Sequence, residues 1–178
     1  MSTKKDAKKP WLDEGLKILE TRGPVMLSIE NLTSATGKTK GSFYHHFTSR
    51  DDYIKNLLDY YEETTTKDVI QVTGGPEDPE DSLKRLTKMT FQFSSGLELA
   101  MRAWALYDKK VRRFQDRMDR SRIEHIKELH IASGMDKETA RIRSYRDYSL
   151  FIGLQQLRHH YSEDEFRKLL KDIFAEKS

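Results

Sequence analysis

The residues with the strongest chemical character lie in one short segment, residues 34–47, which reads SATGKTKGSFYHHF. Gly37, Lys38 and Thr39 match the end of a phosphate-binding loop, G-x-x-x-x-G-K-[ST], which would indicate a nucleotide-hydrolysing enzyme. The first glycine of that pattern falls on Leu32, and without it the backbone cannot wrap around phosphates. The residues before Gly37 also have helical rather than strand spacing, so the sequence argues against a nucleotide site.

Other catalytic or metal-binding patterns are also missing from the sequence. There is no cysteine, which removes thiolate chemistry and disulfides. No serine lies in a nucleophile-elbow pattern, and no paired carboxylates stand out. The six histidines form two adjacent pairs, which diverge by about 100° on a helix, and one pair spaced by five residues, and neither spacing suits chelation. These pairs are His45–His46, His159–His160 and His125–His130. We therefore predict no enzyme activity, no metal and no cofactor.

The same segment predicts a short helix with two different faces. Thr39 can cap a helix in which Phe43, His46 and Phe47 fall within about 100° of arc and pack inward. The opposite side is small near the N-terminus and hydrogen-bonding throughout, as suits a helix that enters the major groove tip first. This outward set comprises Lys40, Gly41, Ser42, Tyr44 and His45. Together with a preceding short helix that ends at Gly37, it forms a helix-turn-helix pattern.

Apolar residues recur at helical spacing along almost the whole chain, and no β-alternation appears. Ser49 and Asp52 fit a capping box that opens a fourth helix running to about Val72, before the linker-like segment TGGPEDP. A second capping box, Ser162 and Glu165, opens the last helix. The pattern predicts an all-α fold of about nine helices without strands.

The charge distribution is uneven along the chain. Net charge is +3, and residues 1–50 hold nine Lys and Arg against five Asp and Glu. This excess could face phosphates, or it could be a solubilising lysine tail, since four of the nine are Lys4, Lys5, Lys8 and Lys9. No apolar run approaches the roughly 18 residues of a membrane span, and the basic N-terminus lacks the apolar stretch of a secretory signal. We expect a cytoplasmic protein with no membrane partner.

The run GPVMLSIENLTSATGKTKGSFYHHFTSRDDYIKNLL, above all KGSFYHHF followed by SR, resembles the N-terminal domain of the tetracycline-repressor (TetR) family of bacterial transcriptional regulators. The motif covers about the first third of the chain, and the remainder agrees in length, helical pattern and helix order. The resemblance implies that Ser28 and Arg50 anchor phosphates at the starts of helices two and four. It also implies DNA contacts from the recognition helix and from the turn before it. The predicted DNA-binding residues are Ser28, Lys38, Thr39, Lys40, Gly41, Ser42, Tyr44, His45 and Arg50.

Three residues depart from the family pattern. Thr33, Thr36 and Lys38 stand where family members usually carry small or apolar residues. The aliphatic stem of Lys38 can lie on the core while its ammonium group reaches outward to phosphate. The departures leave open a second interpretation, a helical binding or adaptor protein of the same architecture without sequence-specific DNA readout.

The resemblance further implies an effector-binding and dimerisation domain in the C-terminal part. Candidate ligand-binding residues are Phe91, Phe93, Met101, Trp104, Tyr107, Met118, Ser121 and His125; the alternative is that most of them are plain core. Candidate dimer-interface residues, beside Ile142, are Tyr145, Tyr148, Ile152, Gly153 and Leu157; the alternative is again an intrachain core. The predicted organisation is a basic disordered arm over 1–9, a three-helix helix-turn-helix DNA-binding domain over 10–48, a connecting helix over 49–72 and the effector domain over 80–178.

Taken together, these observations predict a DNA-binding transcriptional regulator. The expected form is a homodimeric repressor that binds a palindromic double-stranded DNA operator and responds to a small-molecule effector.

Overall fold

The computed structural model of the chain describes residues 4–75 and 78–175. Within these ranges the chain folds into nine helices and no strands, which confirms the predicted all-α fold. The fourth helix is continuous but contains a π-helical segment, Glu63–Lys67, between Arg50–Glu62 and Asp68–Thr73. The helices are α1 (Lys4–Arg22), α2 (Ile29–Thr36), α3 (Lys40–His46), α4 (the three segments just given), α5 (Pro79–Thr90), α6 (Ser95–Tyr107), α7 (Lys109–Ala132), α8 (Lys137–Leu157) and α9 (Glu163–Ala175).

Helices α1, α2 and α3 pack against the start of α4 around a cluster of aromatic rings. Trp11 and Phe43 meet edge to face with centroids 5.5 Å apart, and Phe47 meets Tyr53 in the same way at 5.0 Å. All four are buried, and the Tyr53 hydroxyl donates to the Trp11 carbonyl at 2.9 Å. A Cβ at Gly15 would lie 1.8 Å from that hydroxyl, so only glycine lets α1 approach α4 here. We call this three-helix unit the head.

The core of the head continues into the rest of the molecule, which we call the lobe. Helix α6 packs against α1, and α7 packs against α6 and α8. Met101, Trp104, Phe114 and Met118 belong to the same buried cluster as the aromatic rings of the head. Because apolar contacts run without a break from α1 to α7, the head is held on the lobe by packing as well as by the covalent connection of α4.

The disordered arm predicted over residues 1–9 is wrong for residues 4–9, which form the first turns of α1. Residues 1–3 lie outside the described residues. Pro10 lacks an N–H, yet the helix passes through it because only one backbone hydrogen bond is lost near the helix start. Lys8 is also held in place, since its Nζ donates to Asn56 Oδ1 at 2.8 Å and lies 4.9 Å from the centre of the Phe47 ring.

Among the described residues, no helix combines the length and the apolar character that crossing a membrane requires.

Capping decides where several helices begin. Asp136 caps α8, and Ser162 and Glu165 form the predicted reciprocal box before α9, with Ser162 N donating to Glu165 Oε2 at 2.9 Å. Ser49 Oγ accepts from Asp52 N, while Asp52 Oδ2 accepts from Thr48 N, so the box at α4 closes one residue earlier than predicted.

Candidate nucleic-acid interface and ligand cavity

Side-chain caps and one glycine define the turn between α2 and α3. Ser28 Oγ accepts from Asn31 N at 3.2 Å and Thr39 Oγ1 accepts from Ser42 N at 3.1 Å, so both hydroxyls fill the capping role. Gly37 ends α2 in the left-handed conformation at φ 65°, which a residue with a Cβ adopts only at a cost. The predicted helix-turn-helix geometry is therefore present.

Helix α3 has the two faces that the sequence predicts. Phe43 and Phe47 are buried against the head, whereas Lys40, Gly41, Tyr44 and His45 are exposed and Ser42 is half-buried. Tyr44 is 55% exposed although its ring edge touches Phe43. The hydrogen-bonding face of α3 is accordingly open to solvent along its whole length.

His46 lies half-buried at the border between these two faces. Burial, and then the positive charges of His45, Lys38 and Lys8, lowers the pKa of His46 below its ordinary value. The imidazole is therefore neutral at physiological pH, as suits a side chain whose ring lies 6.3 Å from the buried ring of Phe47.

The starts of α2 and α4 lie side by side. Arg50 Nε donates to the carbonyl of Leu27 at 2.7 Å, and Leu27 directly precedes the cap residue Ser28. Arg50 is nevertheless exposed, with its remaining guanidinium donors uncommitted to the described residues. This hydrogen bond brings together two residues that are 22 positions apart, Ser28 and Arg50, at two helix N-termini, where backbone dipoles favour an anion.

Lys40 is paired within the head. Its Nζ lies 2.6 Å from Glu30 Oε1, and this hydrogen bond raises the pKa of Lys40 and lowers the pKa of Glu30. Both side chains are mostly exposed, so the pair is screened by solvent and Lys40 can exchange Glu30 for a phosphate at small cost.

The residues that depart from the family pattern do not disturb the turn. Thr33 Oγ1 donates to the Glu30 carbonyl at 2.9 Å and Thr36 Oγ1 donates to the Leu32 carbonyl at 2.7 Å. Both hydroxyls are thus satisfied within α2. Lys38 is exposed beside α3 rather than buried in the turn.

The lobe contains an open cavity of about 1740 Å³ between α4 and the following five helices. One wall is aromatic, since Phe91 meets Phe151 and Phe166 with centroid distances of 5.5 and 5.7 Å. Of the ligand-binding residues predicted from the sequence, Phe91, Phe93 and His125 line this cavity.

The other predicted ligand residues do not line the cavity. Met101, Met118 and Trp104 are buried in the core that joins α1, α6 and α7, because the apolar faces of α6 and α7 on which they lie are closed by packing. Tyr107 is 90% exposed at the end of α6, and Ser121 is exposed on α7. Helical periodicity identified these apolar edges, but it does not show which of them another helix covers.

A network of buried ions forms part of the cavity floor and was missed by the sequence reasoning. The carboxylate of Glu98 accepts from Arg122 Nη1 at 3.1 Å, Arg102 Nε at 2.8 Å and the Tyr61 hydroxyl at 2.7 Å. Asp119 accepts two hydrogen bonds from Arg102 at 2.9 and 3.1 Å. A signal existed in the sequence, since Glu98 and Arg102 are four residues apart on the otherwise apolar helix α6.

The charges of this network stabilise one another. Burial raises the pKa of Glu98, but the neighbouring charges of Arg122 and Arg102 outweigh burial and hold that pKa below its ordinary value. Burial likewise lowers the pKa of Arg122, and Glu98 more than restores it. Burial raises the pKa of Tyr61, which stays protonated as a donor. All the groups are therefore present in the protonation states that make them mutual partners.

Arg122 also connects the network to the connecting helix. Its Nε donates to Thr66 Oγ1 at 2.9 Å and its Nη2 donates to Thr65 Oγ1 at 3.2 Å. Both threonines lie in the π-helical segment of α4 and line the cavity. A π-helical turn is rare in proteins, and many of those that occur lie at functional sites. The cavity floor and the helix that carries the head thus share one guanidinium group.

His125 touches the far end of α4. Its Nε2 lies 2.7 Å from Thr73 Oγ1, and that hydroxyl already donates its single hydrogen to the Val69 carbonyl at 2.8 Å. Thr73 can therefore only accept, so Nε2 of His125 must carry the proton. Burial lowers the pKa of His125, which keeps the ring neutral.

The predicted dimer residues divide into two groups. Tyr145 and Leu157 are exposed, Gly153 has open space around it and Ile152 is half-buried, all on one side of α8. Tyr148 lies beside them on the helix, at the edge of the face that packs on α7, and is buried. Its hydroxyl donates to Asp119 at 2.6 Å, so Tyr148 belongs to the intrachain core, the alternative to the predicted dimer interface.

Comparison with known proteins places this architecture. No family model matches the chain. A curated relative, an HTH-type transcriptional regulator YwcC of Bacillus subtilis (strain 168), is 39% identical over 49 residues, which cover 28% of this chain and 22% of that protein. The chain thus matches less than a quarter of the length of that relative.

Solved structures match over nearly the full length. A transcriptional regulator described as a TetR/AcrR family member superposes with a TM-score of 0.80 at 17% identity, covering 96% of this chain and 98% of the other. A regulator from Saccharomonospora viridis, solved in complex with choline, has a TM-score of 0.78 at 16% identity, with 97% of each chain covered. The resemblance found in the sequence is confirmed at the level of the fold, and the chain has the architecture of the TetR/AcrR family of transcriptional regulators.

Proposed function

We propose that the protein is a dimeric, ligand-responsive transcriptional repressor that reads a palindromic operator. The observation that carries this proposal is the geometry of α3. Its aromatic side is sealed in the head while its hydrogen-bonding side is exposed, and this is the arrangement in which a recognition helix enters a major groove.

Two kinds of DNA contact follow from the positions of the side chains. Ser28 and Arg50 lie at adjacent helix N-termini and suit phosphates, which position the protein without reading sequence. Lys40 and Ser42 lie on the first turn of α3 and suit base edges. Gly41 is open except for Thr39 Oγ1, which a Cβ would meet at 3.7 Å, so the helix backbone can approach the duplex closely.

The exposed face of α8 supports a homodimer. Ile142 and Tyr145 are each more than half exposed, and Gly153 leaves room for a second helix to approach. Such a patch on a helix favours burial against a copy of itself around a two-fold axis. Two heads related by that axis would read half-sites one helical turn of DNA apart, about 34–36 Å.

Arg122 supplies a route from an effector to the head. It binds Glu98 on the cavity floor and Thr65 and Thr66 on α4, whose first turn carries Arg50. An effector that changes the position of Arg122 would alter the π-helical segment and hence the separation of the two heads. A coupling free energy of about 1–3 kcal/mol weakens DNA binding by about 5- to 150-fold.

The direct test is a gel shift at physiological salt with an operator selected from genomic fragments. Lys40→Ala and Tyr44→Ala should each weaken binding by about fivefold or more, because each removes a contact of about 1–3 kcal/mol or a phosphate partner. The matched control is Lys84→Ala, which removes another exposed, ion-paired lysine in the lobe. Wild-type affinity in both α3 variants would show that this face does not contact DNA.

The second candidate is an adaptor protein that retains the fold without DNA readout. Its motivation is the pair of departures at Thr33 and Lys38, which the structure accommodates without distortion of the turn. The salt dependence of binding separates the two functions, since a DNA-binding head loses affinity steeply as salt rises. An absence of any salt-dependent DNA binding would favour the adaptor.

A further inference from the structure

Helix α8 presents a stripe of side chains to the cavity that changes in character along its length. Arg143, Asp147 and Phe151 follow one another at four-residue spacing and all line the cavity. The stripe is charged at the end near the start of α8 and aromatic toward the middle. A ligand lying along α8 would therefore meet a polar anchor at one end and an apolar wall at the other.

The buried carboxylates of the cavity are already occupied. Glu98 accepts from two arginines and one tyrosine. Asp147 Oδ2 lies 2.8 Å from His130 Nε2. Its other oxygen, Oδ1, lies 3.6 Å from both Arg143 Nε and Arg146 Nη2. Neither carboxylate is available to balance a cationic ligand, which would also be repelled by the neighbouring guanidinium groups.

At Arg143, by contrast, the cavity has more hydrogen-bond donors than acceptors. Arg143 is only 25% exposed, and its Nε is enclosed and has no hydrogen-bond partner among the described residues. The nearest carboxylate oxygen, Asp147 Oδ1, lies 3.6 Å away, beyond hydrogen-bond length. The guanidinium group of Arg143 is partly exposed and lines the cavity, so a ligand that supplies an oxygen anion can accept hydrogen bonds from its terminal nitrogens rather than from the enclosed Nε. Guanidinium groups match carboxylates in particular, through two parallel hydrogen bonds.

The aromatic wall determines the chemical character and the length of the rest of the ligand. Phe151 packs against Phe91, which also meets Phe166, and these rings form one apolar surface. Phe151 lies eight residues beyond Arg143, or about 12 Å along the helix axis at 1.5 Å per residue. An acid with an apolar body of comparable length spans from the guanidinium group to the rings.

We propose that the cavity binds an apolar carboxylic acid of medium chain length, with the carboxylate on Arg143 and the body on Phe91 and Phe151. The assignment rests on the proposed function only in treating the cavity as the effector site. Binding to the cavity and release from DNA can be measured separately, so failure of one is distinguishable from failure of the other.

The test uses calorimetric titration of the full chain with three probes of equal length, octanoate, octanamide and octylamine. Octanoate should bind at least tenfold more tightly than octanamide, and octylamine should bind most weakly. Arg143→Gln should abolish the preference for octanoate over octanamide. Arg141→Gln is the matched control, because Arg141 lies on the same helix, is exposed and pairs with Glu138; it should bind octanoate like the wild type.

Equal binding of octanoate and octanamide by the wild type, or tighter binding of octylamine, would overturn the assignment without any variant. An unchanged preference in a folded Arg143→Gln protein would overturn the role of Arg143. Arg143→Met, which also removes the charge and should also abolish the preference, serves if the glutamine variant does not fold. A gel shift with octanoate is then read separately. Octanoate that binds without releasing DNA leaves the ligand class intact and refutes the coupling proposed above.

Discussion

Removal of the Glu98 carboxylate should destabilise the protein far more than an ordinary surface substitution, and the loss should be reversible by a second change. Glu98 is buried and receives hydrogen bonds from Arg122, Arg102 and Tyr61. In Glu98→Leu, Arg102 keeps its two hydrogen bonds to Asp119, so its charge remains paired. Arg122 keeps only neutral partners and becomes a buried charge without a counter-ion.

The expected size of the loss follows from that orphaned charge. Breaking a buried ion pair by removing one partner costs about 3–5 kcal/mol of unfolding free energy. Arg122→Met should cost less, because Glu98 remains paired with Arg102. In Glu98→Leu/Arg122→Met both charges are gone and apolar side chains of similar volume replace them, which is often neutral relative to the intact pair. The double variant should therefore be more stable than Glu98→Leu alone.

Equilibrium unfolding in urea of the four proteins, followed by circular dichroism, measures the cycle. A matched control is the exposed pair of Arg141 and Glu138 on α8, whose separate replacement should leave the unfolding midpoint unchanged. The reasoning is refuted if Glu98→Leu costs less than about 1 kcal/mol, the value for a surface pair. It is also refuted if the double variant is as unstable as the sum of the single variants, because the two side chains would then act independently.

Three further substitutions test the recognition helix, the turn before it and the buried histidine of the cavity. Gly41→Ala should raise the unfolding free energy by about 0.5–1 kcal/mol, because alanine is the better helix former in open space. The same variant should weaken operator binding in the gel shift, and stronger binding would contradict the close approach of α3 to DNA. Gly37→Ala should lower the unfolding free energy by about 1–2 kcal/mol, since φ is 65°, and a denaturation midpoint equal to that of the wild type would argue against the left-handed turn. Burial lowers the pKa of His125 below 6.5, so the unfolded chain takes up the proton first; the stability it contributes is complete above pH 6.5 and falls as pH drops below it. His125→Gln should accordingly show a flatter dependence of unfolding free energy on pH below 6.5 than the wild type, and equal slopes would contradict the burial of this ring.

The sequence by itself was sufficient to predict the number of helices, most of their ends and the two faces of α3. These features are local. Ser28, Thr39 and Asp136 cap helices through backbone groups two or three residues away, and Gly37 ends α2 through its own φ angle. The inward and outward sides of α3 follow from the angular step of a helix, which any stretch of the sequence displays. The start of α1 differs from the prediction, because the basic residues before Pro10 are predicted as a disordered arm and form the first turns of the helix instead.

Only the tertiary structure decided which apolar faces are closed and which residues far apart in sequence become partners. Met101 and Phe91 have equally apolar side chains, but α1 and α7 enclose the first while the second borders the cavity. Tyr148 is predicted at the dimer interface, and its hydroxyl bond to Asp119 shows that it packs on α7 within the chain instead. The contacts of Arg122 with Glu98 and with Thr66 join three helices at sequence separations of 24 and 56 residues. Periodicity within one helix carries no information about which neighbour it meets, because that choice depends on the summed packing of all the helices.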